Sequence, residues 1–181
     1  MFSQRQAAQH SGPYAISADF CRIFENDMNR LYLLSYLLTG DQSTAEECFV
    51  RGLDSATRSN RVFREWAGSW ARRTIIQNAI HMVHPRPLDG TTPDPRSQDP
   101  ADEPVQVSAV VRLPAFERFV FVMTVLERYS HQECSLLLGC GREDIITART
   151  RALRHIGEAA DRLQDAKHFS ELAVSHFAVS A

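Results

Sequence analysis

The sequence predicts an all-α protein: two small helical domains joined by a proline-rich linker. Three observations carry that expectation. Apolar residues recur at helical spacing in both halves of the chain, and no alternating strand pattern of useful length interrupts them. Six of the eight prolines (Pro85, Pro87, Pro93, Pro95, Pro100 and Pro104) crowd into one stretch that also holds Asp89, Asp94, Asp99, Asp102 and Glu103. Such a composition cannot pack a core, so residues 85–111 read as a flexible linker between a block at 14–84 and a block at 112–168. The second block contains a capped helix from Ser130, a turn at Gly139 and an arginine-studded helix from Arg142, the pattern of a helix-turn-helix.

In the first block, Phe20, Ile23, Phe24, Met28, Leu31, Leu34 and Leu38 fall on one helical face. Gly40 supplies a left-handed cap that ends this helix. Ser43 and Glu46 have capping-box spacing and predict the start of a second helix that buries Ala45, Cys48, Phe49, Leu53 and Ala56. A third helix takes Val62, Phe63, Trp66, Trp70, Ile76, Ala79, Ile80 and Val83 as its apolar set. Phe63, Trp66 and Trp70 stand at i, i+3, i+7, which predicts a buried stripe. The helix stops near His84, because Pro85 disfavours helical geometry in the residue before it.

In the second block, Pro114 suits a first helical turn, and Phe116, Phe119, Val120 and Met123 form the buried stripe behind it. Ser130 and Glu133 make a second capping box, and Gly139 ends the short helix that they open. The last helix runs from Arg142 to the neighbourhood of Lys167. The tail, 169–181, is mildly apolar and carries no assigned role.

The chain has 181 residues, a net charge of -2 and 44% hydrophobic residues, enough for a core. Its basic side is arginine, with Lys167 the only lysine. Arginine forks hold phosphates and guanine edges in defined geometry. A near-neutral balance nonetheless argues against strong DNA binding by the chain alone. No apolar run is long enough to span a bilayer, Met1–His10 lacks the apolar centre of a secretory signal, and Cys21, Cys48, Cys134 and Cys140 are scattered over helical segments. These features predict a reduced, cytoplasmic setting without a membrane partner.

The order of motifs over most of the chain, Asp19 to His168, resembles the small bacterial RNA polymerase sigma factors of the extracytoplasmic-function type. Leu38-Thr39-Gly40-Asp41 followed by Ala45-Glu46-Glu47 is similar to the family's gly-asp turn and clamp-binding helix. Phe63-Arg64-Glu65-Trp66 with Ala71-Arg72 is similar to its phe-x-x-trp…ala-arg segment. Leu113-Pro114, Tyr129-Ser130, Glu133, Leu138-Gly139 and Arg151-Ala152 follow its leu-pro, ser-x-x-glu, leu-gly and arg-ala landmarks.

The resemblance implies a factor that directs promoter recognition with core RNA polymerase and promoter DNA as partners, and an anti-sigma factor as a further possible one. The first block would meet the polymerase clamp through Glu46, Glu47, Val50 and Arg51. It would hold the opened -10 strand through Arg58, Arg61, Arg64, Arg72 and Arg73. The second block would read the -35 element through Arg142, Thr147, Arg149, Thr150, Arg151 and Arg154. Val50 and Arg51 stand where the family usually has a glutamine and an acid. Ile146 and Ala148 stand where it usually has basic residues, and Arg149 takes a usually aliphatic, buried position. These departures motivate the alternative of a sigma-like interaction module or DNA-binding regulator that works without polymerase-dependent initiation.

No phosphate loop, zinc signature or nucleophile elbow supports catalysis, and no cofactor or enzymatic activity is expected. His81 and His84, at i, i+3, have no second ligand pair nearby. His131, Cys134 and Cys140 do not match a zinc spacing either.

Overall fold

The computed structural model describes residues 12–59, 61–87 and 105–178, with the side chains of 105–106 and 163–178 left aside. Among these residues the protein is all-α, and its one extended pairing is an isolated antiparallel bridge between Tyr14 and Phe63. The chain divides into two compact units, Met1–Met82 and Val83–Ala181.

The first unit contains α1 (Ser17–Asn26), α2 (Met28–Thr39), α3 (Gln42–Thr57) and most of α4 (Ala67–Val83). Leu31, Leu34 and Leu38 are buried with Phe20 and Phe24, as their spacing requires. The predicted single helix is broken at Asp27, which lies at φ -103°, ψ 19°. Backbone bonds continue across the break, from Asp27 N–H to Ile23 O and from Leu31 N–H to Asp27 O, both 2.9 Å. The kink turns Met28 outward, so this member of the expected stripe is exposed.

Gly40 ends α2 at φ 75°, a conformation that costs glycine nothing. The next cap differs from expectation. Asp41, not Ser43, caps α3: its carboxylate accepts from the Thr44 N–H at 2.7 Å and the Thr44 hydroxyl at 2.5 Å. A charged acceptor with two donors outcompetes a serine two residues further on, at the second position of the helix. Glu46 is then released from capping and faces solvent, with Gln42 Nε2 3.4 Å away.

Helices α3 and α4 meet at Gly52, which is buried; a Cβ there would stand 2.8 Å from Ile75 Cγ1. The Cys48 thiol donates to Ile75 O in the same layer. Before α4 the chain makes a 3₁₀ turn, Arg64–Trp66, so Val62 and Phe63 precede the helix rather than belong to it. The segment leading into α1 lies along this turn. Ala15 N–H donates to Val62 O at 2.7 Å, and Arg64 N–H to Pro13 O at 2.9 Å. Asp19 locks the junction by accepting from Ile16 N–H at 3.1 Å, Arg22 at 2.9 Å and Arg64 Nε at 3.1 Å.

The second unit contains α5 (Val105–Val111), α6 (Ala115–Phe121), α7 (His131–Leu138) and α8 (Arg142–Ala178). Two boundaries move relative to the sequence expectation. Val105–Val111, assigned to the linker, is helical, and α8 runs on past Lys167 through most of the expected tail. Residues 88–104 of the linker lie outside the described residues. Buried Arg118 ties α5 to α6: its Nη1 donates to Val111 O at 2.9 Å and Leu113 O at 3.3 Å. Helix α6 passes into a π-helical turn, Val122–Leu126, whose Val122 and Met123 are fully buried.

Hydrogen bonds to the ionised forms hold two carboxyls below their ordinary range. For Asp19 the Ile16 N–H is the main cause, helped by Arg64 and Arg22; for Asp41 it is the Thr44 hydroxyl, then the Thr44 N–H. A carboxyl lowered by folding contributes stability above its unfolded pKa and loses it as pH falls through the folded value. Asp41→Ala is therefore expected to destabilise the fold by about 1 kcal/mol in neutral urea titrations. The wild-type urea midpoint should begin to fall below about pH 4–5, and Asp19→Asn and Asp41→Asn should each flatten that fall.

Candidate nucleic-acid interface

The helix-turn-helix is built by local bonds. Ser130 Oγ accepts from Glu133 N–H at 3.2 Å, and the Glu133 carboxylate accepts from Ser130 N–H at 2.8 Å, which completes the expected capping box. Gly139 ends α7 at φ 64°, ψ 38°. The turn is clasped at Ser135: its hydroxyl donates to Cys140 O at 2.5 Å, and its carbonyl accepts from Cys140 N–H at 3.2 Å. Asp144 reaches back to accept from Gly141 N–H at 2.9 Å at the start of α8.

Ile145, Ala148 and Ala152 form the buried seam of α8, which packs on α6 and α7. The alanines let the backbones approach closely, and Cys134 of α7 is buried in the same core. With this face committed, Arg142, Thr147, Thr150, Arg151 and Arg154 are all exposed. They do not make one surface. At about 100° per residue, Thr147, Thr150 and Arg154 lie roughly opposite the seam, Arg142 lies on one flank with Ile146 and Leu153, and Arg151 lies on the other flank. The Thr150 hydroxyl donates to Ile146 O at 2.9 Å. Arg149 is the exception among the expected readers. It borders the seam and is half-buried, and its Nε is shut off from solvent without a hydrogen-bond partner. Ala148, in a position the family usually gives a basic residue, belongs to the core here.

In the first unit the expected strand-holding arginines differ in their freedom. Arg61 is exposed at the tip of its turn, with φ 64°. Arg58 is exposed but pairs with Asp54 at 2.9 Å, and Arg64 is held by Asp19. Arg72 and Arg73 are half-buried, with Arg72 Nη2 donating to Ser69 Oγ at 3.3 Å.

The buried aromatic stripe expected at Phe63, Trp66 and Trp70 is corrected by the structure. Trp66 is 59% exposed and Phe63 38%, because the 3₁₀ turn ends the helical register on which the expectation rested. Tyr14, brought alongside by the bridge, stacks on Phe63 with ring centroids 4.9 Å apart, and Phe63 meets Trp66 edge-on at 5.3 Å. Only Trp70 turns partly inward, its indole N–H donating to Ser59 Oγ at 2.8 Å. The result is an exposed row of three rings, two residues along the chain from exposed Arg61, which helical periodicity had hidden.

The expected clamp-facing residues Glu46, Glu47, Val50 and Arg51 share the solvent face of α3. Val50 is 63% exposed, and Glu47 pairs with Arg51 at 2.5 Å. His81 Nδ1 lies 2.7 Å from Gln77 O, and no group of three or more His, Cys, Asp or Glu able to hold a metal occurs among the described residues. No helix among those residues is long and apolar enough to cross a membrane. Compared with known proteins, the chain matches no family model and no curated sequence.

Burial pushes the Cys48 and Cys134 thiols up to about 11, and raises Cys140 in the turn. A protonated, enclosed thiol is a poor nucleophile. A thiol titration of the native protein should therefore label exposed Cys21 first, and Cys48 and Cys134 only on unfolding.

Proposed function

We propose that the protein is a divergent extracytoplasmic-function-type sigma factor that acts in the cytoplasm as a transcription-initiation specificity factor. Its second unit reads duplex promoter DNA, and its first unit meets polymerase and the opened strand. One observation carries this reading: α8 follows a glycine turn, buries one narrow seam and leaves Arg142, Arg151 and Arg154 free in solvent. Exposed guanidinium groups on such a helix, Arg142 at its start and Arg151 and Arg154 farther along, are suited to guanine edges and phosphates in a major groove.

The row of Tyr14, Phe63 and Trp66 supports the second half of the proposal. Exposed rings offer unpaired bases a stacking surface, and exposed Arg61, two residues before Phe63 in the chain, supplies a guanidinium for a phosphate. The weak overall charge fits a division of labour. Each unit binds DNA feebly, and tethering to polymerase replaces intrinsic affinity with effective concentration.

A second reading rests on α3. The Glu47–Arg51 pair neutralises two of the four residues that the resemblance assigns to the clamp, and Val50 puts an exposed apolar group among them. That surface suits a different protein partner, and the chain would then be a sigma-like regulator without initiation activity.

Pull-down with core polymerase separates the two readings. The sigma reading expects stable co-purification and promoter-dependent transcripts in vitro; a folded chain that yields neither supports the regulator. With polymerase present, Arg142→Ala or Arg151→Ala should each weaken promoter binding by about 1–3 kcal/mol. Unchanged binding in both would move the reading surface off α8. Trp66→Ala should weaken binding of a single-stranded -10 oligonucleotide by a comparable amount while leaving duplex binding intact.

A further inference from the structure

The flank of α8 that carries Arg142 continues into an apolar strip. Ile146, one turn on, is 43% exposed, and Leu153, two turns beyond it, is 45% exposed. Between them Thr150 spends its hydroxyl hydrogen on the Ile146 carbonyl at 2.9 Å, so it offers a partner no donor, only its methyl group and an accepting oxygen. None of these residues belongs to the buried seam of Ile145, Ala148 and Ala152. Exposed Arg142 stands at the head of the strip and exposed Arg154 on the adjoining face, beside exposed Glu143, while Arg151 lies on the far flank. A partner that is apolar where it meets Ile146 and anionic near Arg142 and Arg154 fits this strip. Duplex DNA answers this description where thymine 5-methyl groups line the major groove between phosphates.

We infer that Ile146 is a specificity-determining residue that reads a thymine methyl, with Thr150 extending the same contact. The inference rests on the proposed reading of duplex DNA by α8 and adds to it a sequence class: sites with thymine beside the base read by Arg142. A basic residue at Ile146 would add phosphate affinity without base preference. An isoleucine gives little affinity but distinguishes thymine from every base that lacks the methyl.

The test uses the full-length chain and a library of randomised duplexes, selected in low salt, where weak binders are retained. Wild-type protein should enrich a site with thymine at a fixed position. Replacing that thymine by deoxyuridine, which removes only the methyl, should weaken binding about fourfold, the equivalent of roughly 0.8 kcal/mol for one buried methyl. Ile146→Ala should bind the thymine and deoxyuridine duplexes equally, and its unchanged thermal melting would exclude a folding defect. An enriched site in which thymine is absent, or in which deoxyuridine binds equally well to the wild type, would overturn the inference and leave duplex reading by α8 standing. Enrichment of no sequence by the wild type, alone and with core polymerase, would overturn both.

Discussion

The arrangement of the second unit depends on one constraint: the burial of Ile145, Ala148 and Ala152 against α6 and α7. A helix that hides a narrow alanine-rich seam sits close to its neighbours and leaves most of its circumference in water. Gly139 and the Ser135–Cys140 clasp set the angle at which the chain enters that seam. Without the seam, the arginines of α8 would have no fixed bearing. With it, Arg142, Arg151 and Arg154 project outward in defined directions, and Arg149 is drawn partly inward.

Arginine is the chain's main cation, yet its arginines have two different occupations. Arg118 is buried under the carbonyls of Val111 and Leu113, and Arg64 braces the junction at Asp19. Arg51 and Arg58 sit in i, i+4 pairs on α3, interactions worth a few tenths of a kcal/mol when exposed. A charge total read from composition therefore overstates what is free to meet a polyanion. On the proposed reading, this is the physical reason the chain needs a larger assembly to hold DNA.

Much of the fold was legible in the sequence where one local rule acts alone. The glycine stops at Gly40 and Gly139, the Ser130–Glu133 box and the Leu31, Leu34, Leu38 face all follow from short-range geometry. The misses fall where two rules compete. Asp41 and Ser43 both had the chemistry of a cap, and the carboxylate prevailed. Phe63 and Trp66 kept helical spacing across a stretch that is a 3₁₀ turn, so periodicity placed them in a core that they do not enter. Their row with Tyr14 depends on a bridge to residues far earlier in the chain, which no local pattern records. Val105–Val111 lay hidden behind the prolines, because composition cannot show that Arg118 would satisfy the carbonyl end of a short helix. For the candidate site, the exposed arginines of α8 were legible; the partial burial of Arg149 needed the packing of the whole unit.

Gly52 has a consequence for the contact between α3 and α4. With hydrogen as its only side chain, it lets the backbone of α3 rest on Ile75 of α4, where a Cβ would stand 2.8 Å from Ile75 Cγ1. An alanine at 52, favoured by helix preference alone, would act as a shim: its methyl would meet Ile75 Cγ1, and the buried Ile75 side chain or the helix that carries it would have to give way.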